Sequence, residues 1–121
     1  MTIRVLVADD QAMIRGALAG LLDLESDIEV VAQASDGARA LEELARLAAA
    51  GGPARASAPV DVAIIDVEMP HMDGITATQA ICSRFPAVRV LIVTTFGRPG
   101  YLQRALDAGA TGFMVKDAPV E

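Results

Sequence analysis

Five short runs rich in Val and Ile alternate along the chain with segments of helical period. The runs predict β-strands at 3–8, 28–34, 61–66, 89–94 and 112–116. Most of them are apolar nearly throughout, which is typical of strands buried on both faces of a parallel sheet. Strands separated by helices and joined by right-handed crossovers predict an α/β protein with a doubly wound, five-stranded parallel sheet.

Four predicted helices lie between these strands. The third and fourth are predicted at 74–84 and 98–108, and Gly109 closes the fourth. The second opens at Asp36–Gly37 and carries an apolar stripe of Leu41, Leu44, Ala45 and Leu47. The first has a longer stripe, formed by Ala12, Ile14, Ala17, Leu18, Leu21 and Leu22.

Two segments depart from a regular alternation of strands and helices. Residues 48–60 (AAAGGPARASAPV) are small and have no apolar period, so we expect a mobile surface loop. After the fifth predicted strand only DAPVE remains, so we expect the final helix to be missing or truncated. Its absence would leave apolar surface beside the first helix, which favours self-association. Residues 1–121 then form one domain, either cut from a longer protein or sharing the missing contact with a second copy.

Composition excludes several classes of function. The chain has 121 residues, 53% of them hydrophobic, and a net charge of -6, which argues against nonspecific binding to nucleic acid. No apolar run has the roughly 18 residues of a membrane span. Cys82 is the single cysteine and is expected to be a small buried hydrophobe. These features predict a cytoplasmic protein.

Acidic residues stand where two of the predicted strands end. Asp9 and Asp10 follow the first strand, and Asp66 ends the third. Because the carboxyl ends of parallel strands meet at one edge of the sheet, we expect these three acids to converge on one crevice. Their mutual repulsion would be relieved by protons or by a hard divalent cation, for which Mg²⁺ is the natural candidate. An alternative role for Asp9 or Asp10 is to cap the helix that begins near Gln11.

The other strand ends carry groups suited to phosphoryl chemistry. A carboxylate such as Asp66 can act as a nucleophile on phosphorus, and a metal and a lysine would stabilise the transferred group. Lys116, the only lysine, ends the fifth strand, and Thr94 with Thr95 ends the fourth. A threonine hydroxyl there could bond to a phosphoryl oxygen, although threonine is also an ordinary strand residue.

These residues resemble the receiver domain of two-component response regulators. The matching motifs are VADD, DVEMPHMDG, VTT and AGATGFMVKD, with Thr94 28 residues after Asp66 and Lys116 22 after Thr94. The resemblance implies a flavodoxin-like, CheY-like fold with Asp66 as the phosphoacceptor. It implies that Mg²⁺ is held by Asp9, Asp10, Asp66 and the backbone carbonyl of Glu68. It also implies that Lys116 pairs with the phosphoryl group and that Thr94 and Phe113 form the switch.

The segment TTFGRPGYLQRALDAGATGFMVKDAP is similar to the NarL/LuxR-type regulators. That resemblance implies a sensor histidine kinase as phosphodonor, a homodimer, and control of transcription. DNA would be bound only through a C-terminal helix-turn-helix domain that is absent from these residues.

Two other classes of function remain open on the sequence. A haloacid-dehalogenase-type phosphatase also uses a strand-end aspartate with magnesium, but its second acid follows the nucleophile by two positions, whereas Asp9 and Asp10 are adjacent. The second class is a receiver-like interaction module that signals without phosphate. By the resemblance the chain is not an enzyme, beyond promoting its own phosphorylation and dephosphorylation.

Overall fold

A computed structural model of the chain describes residues 2–53, 58–94 and 100–115. These residues form five parallel strands and four helices, in the predicted order. The strands are β1 Ile3–Ala8, β2 Ile28–Ala34, β3 Val62–Asp66, β4 Arg89–Thr94 and β5 Gly112–Val115. The helices are α1 Ala12–Asp23, α2 Gly37–Ala50, α3 Gly74–Arg84 and α4 Tyr101–Asp107.

The order of strands across the sheet is β2-β1-β3-β4-β5. The chain steps outward from β1 to β2 and then returns to the other side of β1, so the direction of winding reverses between β1 and β3. In a doubly wound sheet, the crevice at this reversal is where ligands bind. The predicted α/β fold is therefore confirmed, and its topology marks the ends of β1 and β3.

One face of the sheet is closed by α2, α3 and α4. Because successive side chains of a strand point to opposite faces, Leu6 and Ala8 lie on one face and Val5 and Val7 on the other. The closed face holds the main core, in which Leu6, Ile65 and Ile92 are fully buried. Its helices contribute Ala40, Leu44, Ile75, Ile81 and Ala105, and Ala108 joins them directly after α4.

The opposite face is covered among the described residues by α1 alone. Ala19 is the one buried residue of α1, while Ile14 is 37% and Leu21 64% exposed. Five residues of α1 and five strand residues line an apolar groove of about 510 Å³: Ile14, Ala17, Leu18, Leu21, Leu22, Ile64, Leu91, Val93, Met114 and Val115. Apart from Ala12, the predicted stripe of α1 thus faces this groove and is only partly buried, as expected for a face that one helix covers in part.

Two predicted segments differ from the structure by more than one residue. The expected loop at 48–60 is ordered at both ends, because α2 continues through Ala50 and because Pro59 and Val60 are buried. Alanine is the best helix former, so a run of alanines extends a helix without any apolar period. The predicted fourth helix is interrupted at Gly100, which has a φ of 86°, and the described helix begins at Tyr101; the predicted start at 98 lies outside the described residues. Residues 54–57 and 95–99 lie outside the described residues.

Candidate functional site

Three carboxylates meet at the point where the sheet reverses its winding. Asp9 and Asp10 directly follow β1, and Asp66 is the last residue of β3, the strand paired with β1. Each offers an oxygen within 4.8 Å of the others. Asp9 is 4% and Asp66 7% exposed, whereas Asp10 is exposed. The structure thus brings together the three acids that the sequence predicted to converge.

The chemistry of this donor set fits a small, hard divalent cation. Three carboxylates supply only oxygen ligands, and their combined negative charge favours a doubly charged ion. Two of them are buried, where the repulsion between like charges is poorly screened by water. These residues therefore fit Mg²⁺, which keeps several waters and binds through a few carboxylates.

Asp9 is fixed by hydrogen bonds from several directions. Its N–H donates to the Ala34 carbonyl oxygen over 3.0 Å, and its Oδ1 accepts from the Gln11 N–H over 2.9 Å. Its own carbonyl oxygen accepts from Nη1 of Arg15 over 2.6 Å. The second of these bonds closes a local turn just before α1. The N-cap of α1 is Gln11, so the alternative that Asp9 or Asp10 caps this helix is wrong.

The loop after Asp66 approaches the acid through a glycine. The Gly74 N–H donates to the Val67 carbonyl oxygen over 2.8 Å, and a Cβ at position 74 would overlap the carbonyl oxygen of Asp66. Asp73 begins α3 by accepting from the Ile75 and Thr76 N–H groups over 2.9 and 2.8 Å. The Asp73–Gly74 pair therefore sets the distance between α3 and the end of β3.

Thr94 lies at the same edge of the sheet as Asp66. In the β3–β4 register Asp66 is opposite Val93, so Thr94 is the next residue beyond, and it is fully buried. Phe113 is half-buried against the core in β5, opposite Ile92. Glu68 is exposed. Lys116 lies outside the described residues, which end at Val115, the register partner of Thr94.

Two contributors to the site were not found from the sequence. Arg15 was missed because a side-chain bond to a backbone carbonyl six residues earlier has no sequence signature. Gly74 was recognised only as the first residue of the third predicted helix, and its close approach to Asp66 emerges only once α3 is docked on β3. The Asp73–Gly74 pair shortly after Asp66 is the sequence signal that could have indicated this close approach, because glycine is the residue used where two backbones come close.

Comparison with known proteins identifies the family. The sequence model of one protein family, the response regulator receiver domain, matches residues 5–121. This match agrees with the fold and the acidic cluster, which together define an α/β signalling domain. The chain belongs to the response regulator receiver domain family.

Its relatives include transcriptional regulatory proteins and, among solved structures, a DNA-binding response regulator of the LuxR family from Staphylococcus aureus. The chain is 40% identical to the transcriptional regulatory protein YvfU and 38% identical to the transcriptional regulatory protein DesR, both of Bacillus subtilis, over 98% of its length. It covers 54% and 53% of those two proteins, so it spans about half the length of the curated relatives it matches. The signal receiver domain of NarL from Mycobacterium tuberculosis superposes with a TM-score of 0.81 at 35% identity, covering 98% of this chain and 86% of that one.

The family membership bears on the alternatives that the sequence left open. A receiver domain is a signalling domain, so the haloacid-dehalogenase-type phosphatase loses its support. Among the described residues, no helix has both the length and the apolar character needed to cross a membrane.

Proposed function

We propose that this domain accepts a phosphoryl group on Asp66 in a magnesium-dependent reaction. The observation that carries the proposal is the convergence of Asp9, Asp10 and Asp66 within 4.8 Å at the sheet reversal. Asp66 lies at the end of its strand, at the sheet edge where ligands bind in this type of fold. Asp9 and Asp10 would hold the metal together with Asp66 and the Glu68 carbonyl. When bound, Mg²⁺ supplies positive charge that offsets the charge of the transferred phosphoryl group.

The transfer is a substitution at phosphorus. An Asp66 carboxylate oxygen attacks, and the new O–P bond forms an acyl phosphate. The bond from phosphorus to the donor breaks, and its electron pair leaves on the donor, an imidazole nitrogen of a histidine kinase or the carboxylate oxygen of acetyl phosphate. Lys116 pairs with the phosphoryl oxygens, and catalysis is confined to the domain's own phosphorylation and dephosphorylation.

Thr94 and Phe113 form the switch in this proposal. The Thr94 hydroxyl donates to a phosphoryl oxygen, and its movement gives the Phe113 ring room to turn inward. Thr94 is fully buried at the end of β4, and Phe113 is half-buried on the neighbouring strand β5, which supports a switch that involves both positions. Phosphorylated Asp66 can shift the equilibrium between the two states of the switch only by the difference between its interaction free energies with those states.

The names of the relatives support an output in transcription. We propose that the domain acts in the cytoplasm and that its switched surface controls a helix-turn-helix DNA-binding domain in the whole protein.

Labelling with acetyl phosphate tests the acceptor. We expect Mg²⁺-dependent addition of one phosphoryl group, read by intact mass, to the wild type and to Asp27→Asn. Asp27 is an exposed acid before β2 and supplies a control with the same change of charge. Asp66→Asn should show no addition. Labelling of Asp66→Asn at the wild-type level would refute the assignment.

A receiver that signals by contact alone is the alternative. Beryllofluoride mimics a phosphoryl group and needs the same acid and metal, so the two functions differ in whether it binds. We expect Mg²⁺-dependent stabilisation by beryllofluoride in the wild type and none in Asp66→Asn. Equal thermal stability of the wild type with and without beryllofluoride would favour the contact-only module.

We also propose that a second copy of the chain docks on the α1 groove. Leu21 at 64% and Met114 at 58% exposure flank an apolar groove of about 510 Å³. An apolar surface of this kind is a typical site of association. Sedimentation should show Leu21→Glu as more monomeric than the wild type. Met13→Glu, on the same helix but not lining the groove, should behave as the wild type, and equal association of all three proteins would exclude this face.

A further inference from the structure

We infer that Arg15 is a positioning residue for the metal site, holding the backbone that carries Asp9 and Asp10. The inference rests on the proposed magnesium site. Its central observation is the 2.6 Å hydrogen bond from Nη1 of Arg15 to the carbonyl oxygen of Asp9. The donor is charged, and such bonds are shorter and stronger than neutral ones.

The bonded carbonyl belongs to the peptide that joins the two acids. A peptide unit is planar, so fixing the Asp9 oxygen also fixes the direction in which the chain continues to the Cα of Asp10. The Asp9 N–H is fixed on the other side by the Ala34 carbonyl. Strand β2 therefore holds the N–H side of Asp9, and Arg15 holds its carbonyl side, which leads to Asp10.

Arg15 is itself well placed to act as a fixed point. It lies in the first turns of α1, where its N–H donates to the Gln11 carbonyl oxygen over 2.9 Å. The Gln11 N–H in turn binds the Asp9 carboxylate. The arginine, the start of the helix and the acid thus form one closed set of contacts, and a shift of α1 would be transmitted to the acidic cluster.

The surroundings of Arg15 keep it hydrated on its outer side. It borders a polar cavity of about 270 Å³ lined by Arg15, Gln33, Ala34, Ser35, Arg39, Glu42 and Glu43. The guanidinium group therefore reaches the Asp9 carbonyl without losing all its water. Its five donors in a planar fork allow a bond to the carbonyl while others face this cavity, which the single ammonium of a lysine does less well.

Positioning and simple charge lead to opposite expectations for metal affinity. If Arg15 acted only as a nearby positive charge, its removal would strengthen cation binding. If it orients Asp9 and Asp10, its removal should weaken binding, and partners that orient metal ligands typically contribute about 10- to 100-fold to affinity. The sign of the change therefore separates the two roles.

Calorimetric titration of the protein with MgCl₂ tests this inference on the wild type, Arg15→Met, Arg15→Lys and Arg39→Met. We expect about 10-fold weaker binding for Arg15→Met and a smaller loss for Arg15→Lys. Arg39 borders the same cavity, and its side chain makes no hydrogen bond within the described residues, so Arg39→Met should match the wild type.

The rate of labelling by acetyl phosphate adds a second readout. The Mg²⁺ concentration for half-maximal rate should rise about 10-fold in Arg15→Met, while the rate at saturating Mg²⁺ stays within about twofold of the wild type. Unchanged or tighter Mg²⁺ binding by both Arg15 variants, with normal binding by the wild type, would overturn this inference alone. Absence of Mg²⁺ binding by the wild type would overturn the proposed metal site and this inference with it.

Discussion

Neutralising Asp10 should stabilise the metal-free protein. Asp10 is the most suitable of the three acids for this test, because its carboxylate makes no hydrogen bond or ion pair within the described part of the chain. Asp10→Asn therefore removes repulsion without removing a described bond. Asp9 and Asp66 are buried and have other interactions, so their substitution would mix the two effects.

The magnitude follows from the spacing of the acids. Two unit charges 4.8 Å apart repel by about 3.5 kcal/mol at an effective dielectric constant near 20, and by about 0.9 kcal/mol in water. Asp10 takes part in two such pairs and is exposed, so the water-like value applies and salt reduces it further. We expect a gain of about 1–2 kcal/mol in the free energy of unfolding, or about 4–8 °C in Tm for a chain of this size.

Thermal unfolding in EDTA and in MgCl₂ measures the effect. In EDTA, Asp10→Asn should unfold at a higher temperature than the wild type. In MgCl₂ the wild type should gain about 2.7 kcal/mol at an ion concentration 100-fold above its Kd, and Asp10→Asn should gain much less. Asp27→Asn carries the same change of net charge and should follow the wild type in both conditions. A metal-free Asp10→Asn that is no more stable than the wild type would contradict the electrostatic argument.

Three further predictions concern the neighbourhood of the site and the opposite end of the sheet. Gly74→Ala should lower the free energy of unfolding by about 2 kcal/mol, because its methyl group would press on the Asp66 carbonyl. Gly16→Ala, with open space around its Cβ in α1, should raise it by about 1 kcal/mol, and urea titration measures both. Asp73→Ala should cost about 1 kcal/mol through loss of the α3 cap and Asp73→Ser much less; equal losses would contradict the capping role. Burial raises the pKa of the Cys82 thiol, so the neutral thiol favours the folded state. Its contribution is full below the unfolded pKa and is lost as the pH rises toward the folded pKa. Alkylation by iodoacetamide should therefore reach half-maximal rate at a higher pH in the folded than in the urea-unfolded protein.

The strands were predictable because burial on both faces leaves a clear mark on the sequence. A run such as VAIID is apolar until its last residue, so both its existence and the position of Asp66 can be predicted from it. Helix α3 was equally well marked, with Asp73–Gly74 at its start and Pro86 just beyond its end. Where sequence signals mark both ends of an element, its predicted boundaries agree with the structure.

The boundaries that were missed lack such signals. A run of alanines contains no signal for the end of α2, and the helix ends at Ala50, just before Gly51 and Gly52. The start of α4 depends on the left-handed conformation of Gly100, which a glycine permits but does not require. The convergence of the acids was predictable from topology. The bond from Arg15 to Asp9 depends on the docking of α1, and no pattern of residues encodes that.

The scaffold holds the three acids together against their own repulsion. The acids stand at the ends of β1 and β3, which are paired through Ala8 and Ile65 and fixed by the fully buried Leu6 and Ile65. Separating the strands would break that pairing and open the core, which costs more than the repulsion releases. Relief must therefore come from side-chain rotation, from protons or from a cation. Rotation is restricted for Asp9, whose carboxylate is bound to the Gln11 N–H, whereas a bound cation would relieve the repulsion without moving that side chain.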